Sequence, residues 1–282
     1  MFYGKFRREE LQALEKSITE WQGKWALVTG ASAGIGKAIA EELASGGTNL
    51  VLTARRRERL EALATSLSTT HKIRVEIFVA DLVSPAAPAE ILAFTTANNI
   101  QIDLLINNAG FGAYGEFSTS DVSRQLEMVQ VNCAAVVNLT HLFLPAMIER
   151  RSGDILILAS TASFQAVPYI TVYAATKAFD LSFAEGLAEE VKPHGIRVCA
   201  LCPGSTESEF REVANQSNVP AANTRSETAE KVARTGLKAL AAGKSYVISG
   251  AGNYLGAHMQ RVVPRRVVTS IAAKMFRPRS KK

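Results

Sequence analysis

The chain has 282 residues, 47% of them hydrophobic, with 32 Lys and Arg against 26 Asp and Glu and a formal net charge of +6. The apolar content excludes a disordered chain, and 19 Gly and 9 Pro exclude a collagen-like one. The charge is local: residues 249–282 hold eight Lys or Arg and no acidic residue, which leaves 24 basic against 26 acidic side chains in residues 1–248. The body is therefore not the basic surface that nucleic acid requires.

At the start, Lys5, Arg7, Arg8, Glu9 and Glu10 occupy the place an export signal would need for apolar residues, so a cytoplasmic chain is expected. Leu11, Leu14, Ile18 and Trp21 then recur at i, i+3, i+7 and i+10, one stripe of an amphipathic helical extension over residues 1–23. Two readings stay open for that stripe, packing against the body and a partner surface.

From residue 24 to 248, short apolar runs alternate with helical stretches. The runs are Trp25 to Thr29, Leu50 to Thr53, Val75 to Val79, Leu104 to Ile106, Ile155 to Leu158, Ile196 to Leu201 and Tyr246 to Ile248. Continuous apolarity suits strands covered on both faces, and intervening helices imply right-handed parallel crossovers. The expected fold is α/β, a three-layer doubly wound parallel sheet of about seven strands. Cys199 and Cys202 form a C-x-x-C at the end of the sixth run, and no second Cys or Cys/His pair completes a ligand set, so no metal is expected. The last segment, residues 249–282, reads as a basic helical extension. In it Val267, Val268, Ile271, Ala272, Met275 and Phe276 share a face opposite Arg265, Arg266, Ser270, Lys274 and Arg277. It can dock on the body or a neighbouring subunit, or lie on an anionic membrane as a peripheral contact.

Chemistry concentrates at six places. Gly30, Ser32, Ala33, Gly34, Ile35 and Gly36 follow the first strand and open a helix, the setting in which backbone amides approach a pyrophosphate at the positive end of a helix. Asn107-Asn108-Ala109-Gly110, Asn132, Ser160, Tyr173-Ala174-Ala175-Thr176-Lys177 and Pro203-Gly204 follow at intervals over nearly 180 residues. With the G-x-x-x-G-x-G turn, these motifs make residues 24 to 248 resemble a short-chain dehydrogenase/reductase with a Rossmann-type fold.

Tyr173 and Lys177 lie four apart, on one helix face. An ammonium beside a phenol stabilises phenolate, so Tyr173 suits a general acid in carbonyl reduction and a base in alcohol oxidation. The resemblance implies that Ser160 holds the substrate oxygen, although Thr161 stands beside it where many members have a second serine. It also implies that Asn132 bends a helix and anchors a water near Lys177, and that Lys177 bonds the nicotinamide ribose. Asp81 and Leu82, Asn108 to Gly110, Pro203, Gly204, Thr206 and Ser208 are expected to contact the cofactor, Asp81 also being able to cap a helix starting near Ser84. After the second strand stands Thr53-Ala54-Arg55-Arg56-Arg57, with no acid to hold the adenosine ribose. Arg55 and Arg56 suit a 2′-phosphate, so NADP(H) is the expected cofactor.

The expected function is an NADP(H)-dependent oxidoreductase of a largely apolar carbonyl or alcohol, with Phe111, Tyr114, Phe164, Val167, Tyr169 and Phe210 around the substrate. The alternative is a catalytically silent NADP(H)-binding module. The resemblance further implies a homodimer or homotetramer, paired through helices near Asp121 to Glu149 and Val172 to Val191.

Overall fold

The computed structural model describes residues 19–210, 214, 226–260 and 262–278. Seven strands form one sheet: β1 (Trp25–Thr29), β2 (Asn49–Ala54), β3 (Val75–Val79), β4 (Leu104–Asn107), β5 (Gly153–Leu158), β6 (Ile196–Cys202) and β7 (Tyr246–Ile248). Their order is β3-β2-β1-β4-β5-β6-β7 and every neighbouring pair is parallel. The order reverses between β1 and β4, and such a switch opens a crevice at the carboxyl ends of the strands.

Alternation along each strand divides the core into two layers. Ala26 and Val28 face one side with Leu43 of α1 (Gly34–Ser45), Leu60 of α2 (Arg57–His71) and Leu237 of α7 (Ala229–Ala241). Leu27 faces the other with Ile91 of α3 (Ala87–Ala97), Met128 of α4 (Val122–Val129), Leu139 of α5 (Ala135–Glu149) and Leu181 of α6 (Thr171–Val191). Cys199 and Cys202 are three apart on β6, so they fall into opposite layers, both free and buried. Burial pushes the Cys199 thiol up to about 12, which suits filler rather than a redox pair.

β5 begins two residues before its apolar run because the charge of Asp154 is met inside the protein. Arg197 holds both Asp154 oxygens at 2.5 and 2.8 Å, and the buried Trp21 indole donates to Oδ2 at 2.7 Å. Trp21, in a single turn over Thr19–Trp21, thus packs against the body; the rest of the N-terminal stripe lies outside the described residues.

α4 passes into α5 through a π turn at Gln130–Ala134. The combined stretch Val122–Glu149 is long and apolar enough to cross a membrane by composition, yet Met128, Val131, Leu139 and Phe143 of it are core. After β7, α8 (Ala251–Met259) and α9 (Arg265–Phe276) fold back across the carboxyl end of the sheet. There Ala272 is buried beside Ala162, Val167, Ile170 and Ala174, and the Tyr114 hydroxyl donates to the Phe276 carbonyl at 2.9 Å. Docking on the body is therefore what the inner face of α9 does.

Candidate active site

One cavity of about 570 Å³ runs along the crevice from the Gly turn to α9. The turn exists because side chains are excluded from it. Gly30 and Gly34 have φ of 68° and 55°, in the left-handed region. A Cβ on Gly36 would collide with Asn108 Nδ2 and lie 2.5 Å from the Gly30 carbonyl oxygen. Asn108 donates to the Thr29 and Gly30 carbonyls at 2.8 and 3.3 Å, while Thr29 Oγ1 accepts from the Asn108 and Ala109 amides. The carboxyl end of β4 thereby clamps the turn after β1. Ala33, at the head of α1, offers no side-chain cap, so the first amides of that helix face the cavity uncapped.

The arginines after β2 divide. Arg57 pairs along its helix with Glu61, and Arg55 lines the cavity. Arg56 donates to Ser32 Oγ at 3.0 and 3.2 Å and reaches Glu209 at 2.7 Å. Arg59, one helical turn on, meets the other Glu209 oxygen at 2.5 Å. The two guanidinium groups hold the Glu209 carboxyl below the usual carboxylate range. Arg59 escaped the sequence reading although it shares a face with Arg56 at i, i+3, the spacing that would have found it. Asp81 lines the cavity but caps no helix: its Oδ1 accepts from the Val83 amide at 3.1 Å, shaping a turn that ends before α3 begins at Ala87.

The four residues expected to be catalytic meet at the other end. Ser160 ends the segment after β5 and accepts from the Ala162 amide at 3.1 Å. Its hydroxyl lowers the proton affinity of Tyr173, whose ring packs 5.2 Å from Phe210. Lys177 Nζ donates to the Leu158 carbonyl at 2.6 Å and to Asp180 Oδ2 at 3.0 Å. An ammonium has three donors, so one remains for a ligand in the cavity that Lys177 lines.

Asn132 sits in the π turn, which is the helix distortion expected of it. Its side chain accepts from the Phe111 amide and donates to the Phe111 carbonyl and Thr176 Oγ1, all within 3.0–3.1 Å, tying the loop after β4 to α6. A Cβ on Gly110 would lie 3.1 Å from Asn132 Oδ1 and 3.5 Å from Lys177 Nζ. Burial pushes the Tyr173 phenol up, and the Lys177 charge and the Ser160 hydroxyl pull against it. Burial alone would lower Lys177, but the Asp180 carboxylate and the Tyr173 oxygen raise it above the ordinary lysine value. The arrangement is a protonated phenol beside an ammonium and a hydroxyl donor, able to give a proton to an oxygen and steady the charge that develops there.

The apolar lining differs from expectation. Phe111 and Phe210 line the cavity, joined by Val131, Ile170, Met275 and Phe276. Tyr114, Phe164, Val167 and Tyr169 do not. Val167 is buried in the small cluster under α9, Phe164 packs near Tyr246, and Tyr114 and Tyr169 anchor the end of α9 through Phe276 and Arg277. Met275 and Phe276 were missed because the turn that brings the tail back over the sheet leaves no local signal. Pro203, Gly204, Thr206 and Ser208 border the cavity as expected, and Ser208 sits against Gly34. Among the described residues there is no group of His, Cys, Asp and Glu that could hold a metal.

A family profile described as short chain dehydrogenase matches residues 24–219. The very-long-chain 3-oxoacyl-CoA reductase of Bos taurus is 35% identical over 67% of this chain and 61% of its own length. The inactive hydroxysteroid dehydrogenase-like protein 1 of Homo sapiens is 35% identical over 72% and 62%. The chain thus spans about three-fifths of each of these relatives. A short-chain dehydrogenase from Sphingobium yanoikuyae, solved in complex with NADPH, superposes with a TM-score of 0.75 at 30% identity, covering 85% of this chain and 93% of that one.

Proposed function

The chain belongs to the short-chain dehydrogenase family, and on that premise we propose that it is an NADP(H)-dependent oxidoreductase acting on a carbonyl or secondary alcohol of a largely apolar substrate. The observation that carries this reading is the placement of Tyr173, Ser160 and Lys177 at one end of a cavity whose other end holds Arg55 and Arg56. The residues present fit the cofactor. The Gly30 to Gly36 cradle has no room for a Cβ at Gly36, the amides of α1 are uncapped, and Arg56 stands over Ser32 where a 2′-phosphate would be received.

When bound, the nicotinamide supplies or accepts the hydride. Every other task falls to the chain. Ser160 donates to the substrate oxygen, Tyr173 gives that oxygen its proton, and the remaining N–H of Lys177 is available to the ribose while its charge favours the phenolate left behind. Phe111, Phe210, Ile170 and Phe276 supply apolar walls, which favours a ketone with bulky hydrocarbon flanks over a sugar. A panel of apolar carbonyls followed by NADPH oxidation tests this reading. Turnover lost in Tyr173→Phe with NADPH binding kept supports it. No turnover in either protein would favour a silent binding module, the reading suggested by the human relative's name.

Two surface assignments accompany the proposal. Val122, Leu126, Val129 and Val137 of α4 and α5, with Phe179 of α6, are exposed apolar side chains on the helices expected to pair two copies. Light scattering at twice the monomer mass would support a homodimer, and a monomer would remove it. The outer face of α9 presents Val267, Ile271 and Met275 one turn apart, beside Arg265, Arg266 and Lys274 and within a segment devoid of acid. That charge suits an anionic membrane, which would also bring apolar substrate to the Met275 edge of the cavity. Flotation with anionic but not neutral vesicles, lost in Ile271→Glu, supports this. Equal behaviour with both would exclude it.

A further inference from the structure

Asp180 is a carboxylate with no exposed surface, three residues beyond Lys177 on α6. One oxygen accepts from Lys177 Nζ at 3.0 Å, and the other, equally buried, has no hydrogen-bond partner among the described residues. Taking two charges out of water costs more than an ion pair usually returns, and a half-satisfied carboxylate costs more again. An apolar residue of similar size would hold α6 in place at least as well. The position is therefore poorly explained as a structural contact, and its single partner is the lysine that acts on Tyr173.

We propose that Asp180 is a positioning residue of the proton-transfer site: its carboxylate holds Lys177 charged and aimed, and so extends carbonyl reduction to higher pH. The inference rests on the reductase reading above. Removing the carboxylate has two effects of one sign. The Lys177 ammonium, no longer offset, favours phenolate, so Tyr173 loses its proton at lower pH. Lys177, buried and unpaired, also loses its own proton at lower pH and ceases to assist. Both draw the alkaline limb of reduction downward.

The ionisable groups on neighbouring elements leave this pair isolated. Cys133 of the π turn is pushed up to about 12, first by burial and then by Asp180, and is a neutral thiol in any practical assay. On α4, Arg124 pairs with Glu127; on β6, Arg197 pairs with Asp154 of β5 and with Glu20. Cys202 of β6 is held protonated by burial, and Lys192 pairs with Glu189. Cys199 of β6, also held protonated by burial, His194, beyond the end of α6, and Tyr246 of β7 are further titratable groups on elements that touch α6.

The experiment compares wild type, Asp180→Asn and Asp180→Glu. Asp180→Asn keeps shape and an acceptor but removes charge. Its reduction profile is expected to fall away about 1 pH unit earlier at the alkaline side. Its kcat should fall at high pH while KM for NADPH stays within about twofold, and Asp180→Glu should recover much of the lost range. Superposable profiles for wild type and a folded Asp180→Asn would overturn the proposal. If no carbonyl is turned over, the reductase reading has failed separately, and Asp180 is then judged by ultraviolet titration of Tyr173, with Tyr173→Phe subtracted, in the presence of NADP+. An earlier phenolate transition in Asp180→Asn upholds the proposal and an unchanged one refutes it. Should Asp180→Asn not fold, Asp180→Ser, which leaves room for a water, takes its place in both measurements.

Discussion

Replacing Arg56 by alanine is expected to erase the preference for NADPH over NADH. The guanidinium is fixed before any ligand arrives, by two bonds to Ser32 Oγ and by Glu209, so little ordering is needed to receive a phosphate. A charge-assisted bond to phosphate contributes about 1.5–3 kcal/mol, and with the Arg56 side chain 41% exposed the lower part of that range applies. About 1.5–2 kcal/mol corresponds to roughly 10- to 30-fold weaker NADPH binding, with NADH unchanged within about twofold. Glu209→Gln should act in the opposite sense. It dissolves two half-exposed ion pairs, each within about 0.2–1 kcal/mol, and frees both arginines, so NADPH should bind about 3-fold tighter. Equilibrium titration of cofactor fluorescence at low and high salt reads both effects, and added salt should shrink them. A wild-type NADPH to NADH ratio in Arg56→Ala, or weaker NADPH binding in Glu209→Gln, would refute the reasoning.

The other expectations concern packing, the tail and pH. Gly36→Ala should cost about 1–3 kcal/mol by driving a methyl into Asn108 and the Gly30 carbonyl, visible as a Tm several degrees lower and as loss of cofactor binding. Trp21→Phe removes the indole donor from buried Asp154 and should lower stability by about 1–2 kcal/mol in urea titrations, leaving kcat unchanged because the contact lies at the opposite end of the strands. Phe276→Ala should raise KM for bulky carbonyls several-fold with NADPH affinity intact, since Phe276 lines the cavity far from Arg56. Burial raises the Tyr173 phenol, so the acid form prevails at neutral pH; reduction should hold until pH climbs through that value, and alcohol oxidation, which needs phenolate, should rise as it does so. Coincident optima for the two directions would contradict this assignment.

The strands and the Gly turn were legible because doubly covered strands and close backbone approach impose strong local requirements on residue type. Asp154 defeated the strand boundary because a charge looks like a loop until Arg197 and Trp21, distant in sequence, are placed on it. The four residues proposed to be catalytic were readable through their motifs. Asp180 was not, since its meaning lies in one lysine a turn away on Oδ2 and in the absence of any partner for Oδ1 among the described residues. Arg59 and Glu209 show the same limit: one arginine in a basic run and one acid in a polar loop acquire a role only when folding brings them together. The tail was the least legible part, for the sequence shows an amphipathic face without saying what it covers. The structure puts Ala272 and Phe276 inward and leaves Val267 and Ile271 outward.

The central claim is that this cavity moves a hydride between a nicotinamide and a carbon. It is tested most directly with NADPH carrying deuterium at the transferable C4 position, incubated with the apolar ketone that the carbonyl panel selects, with the product alcohol analysed by mass spectrometry. The account predicts an alcohol heavier by one deuterium on its carbinol carbon, formed by the wild type and not by Tyr173→Phe. NADPH bound tightly with no labelled alcohol from any carbonyl would contradict it.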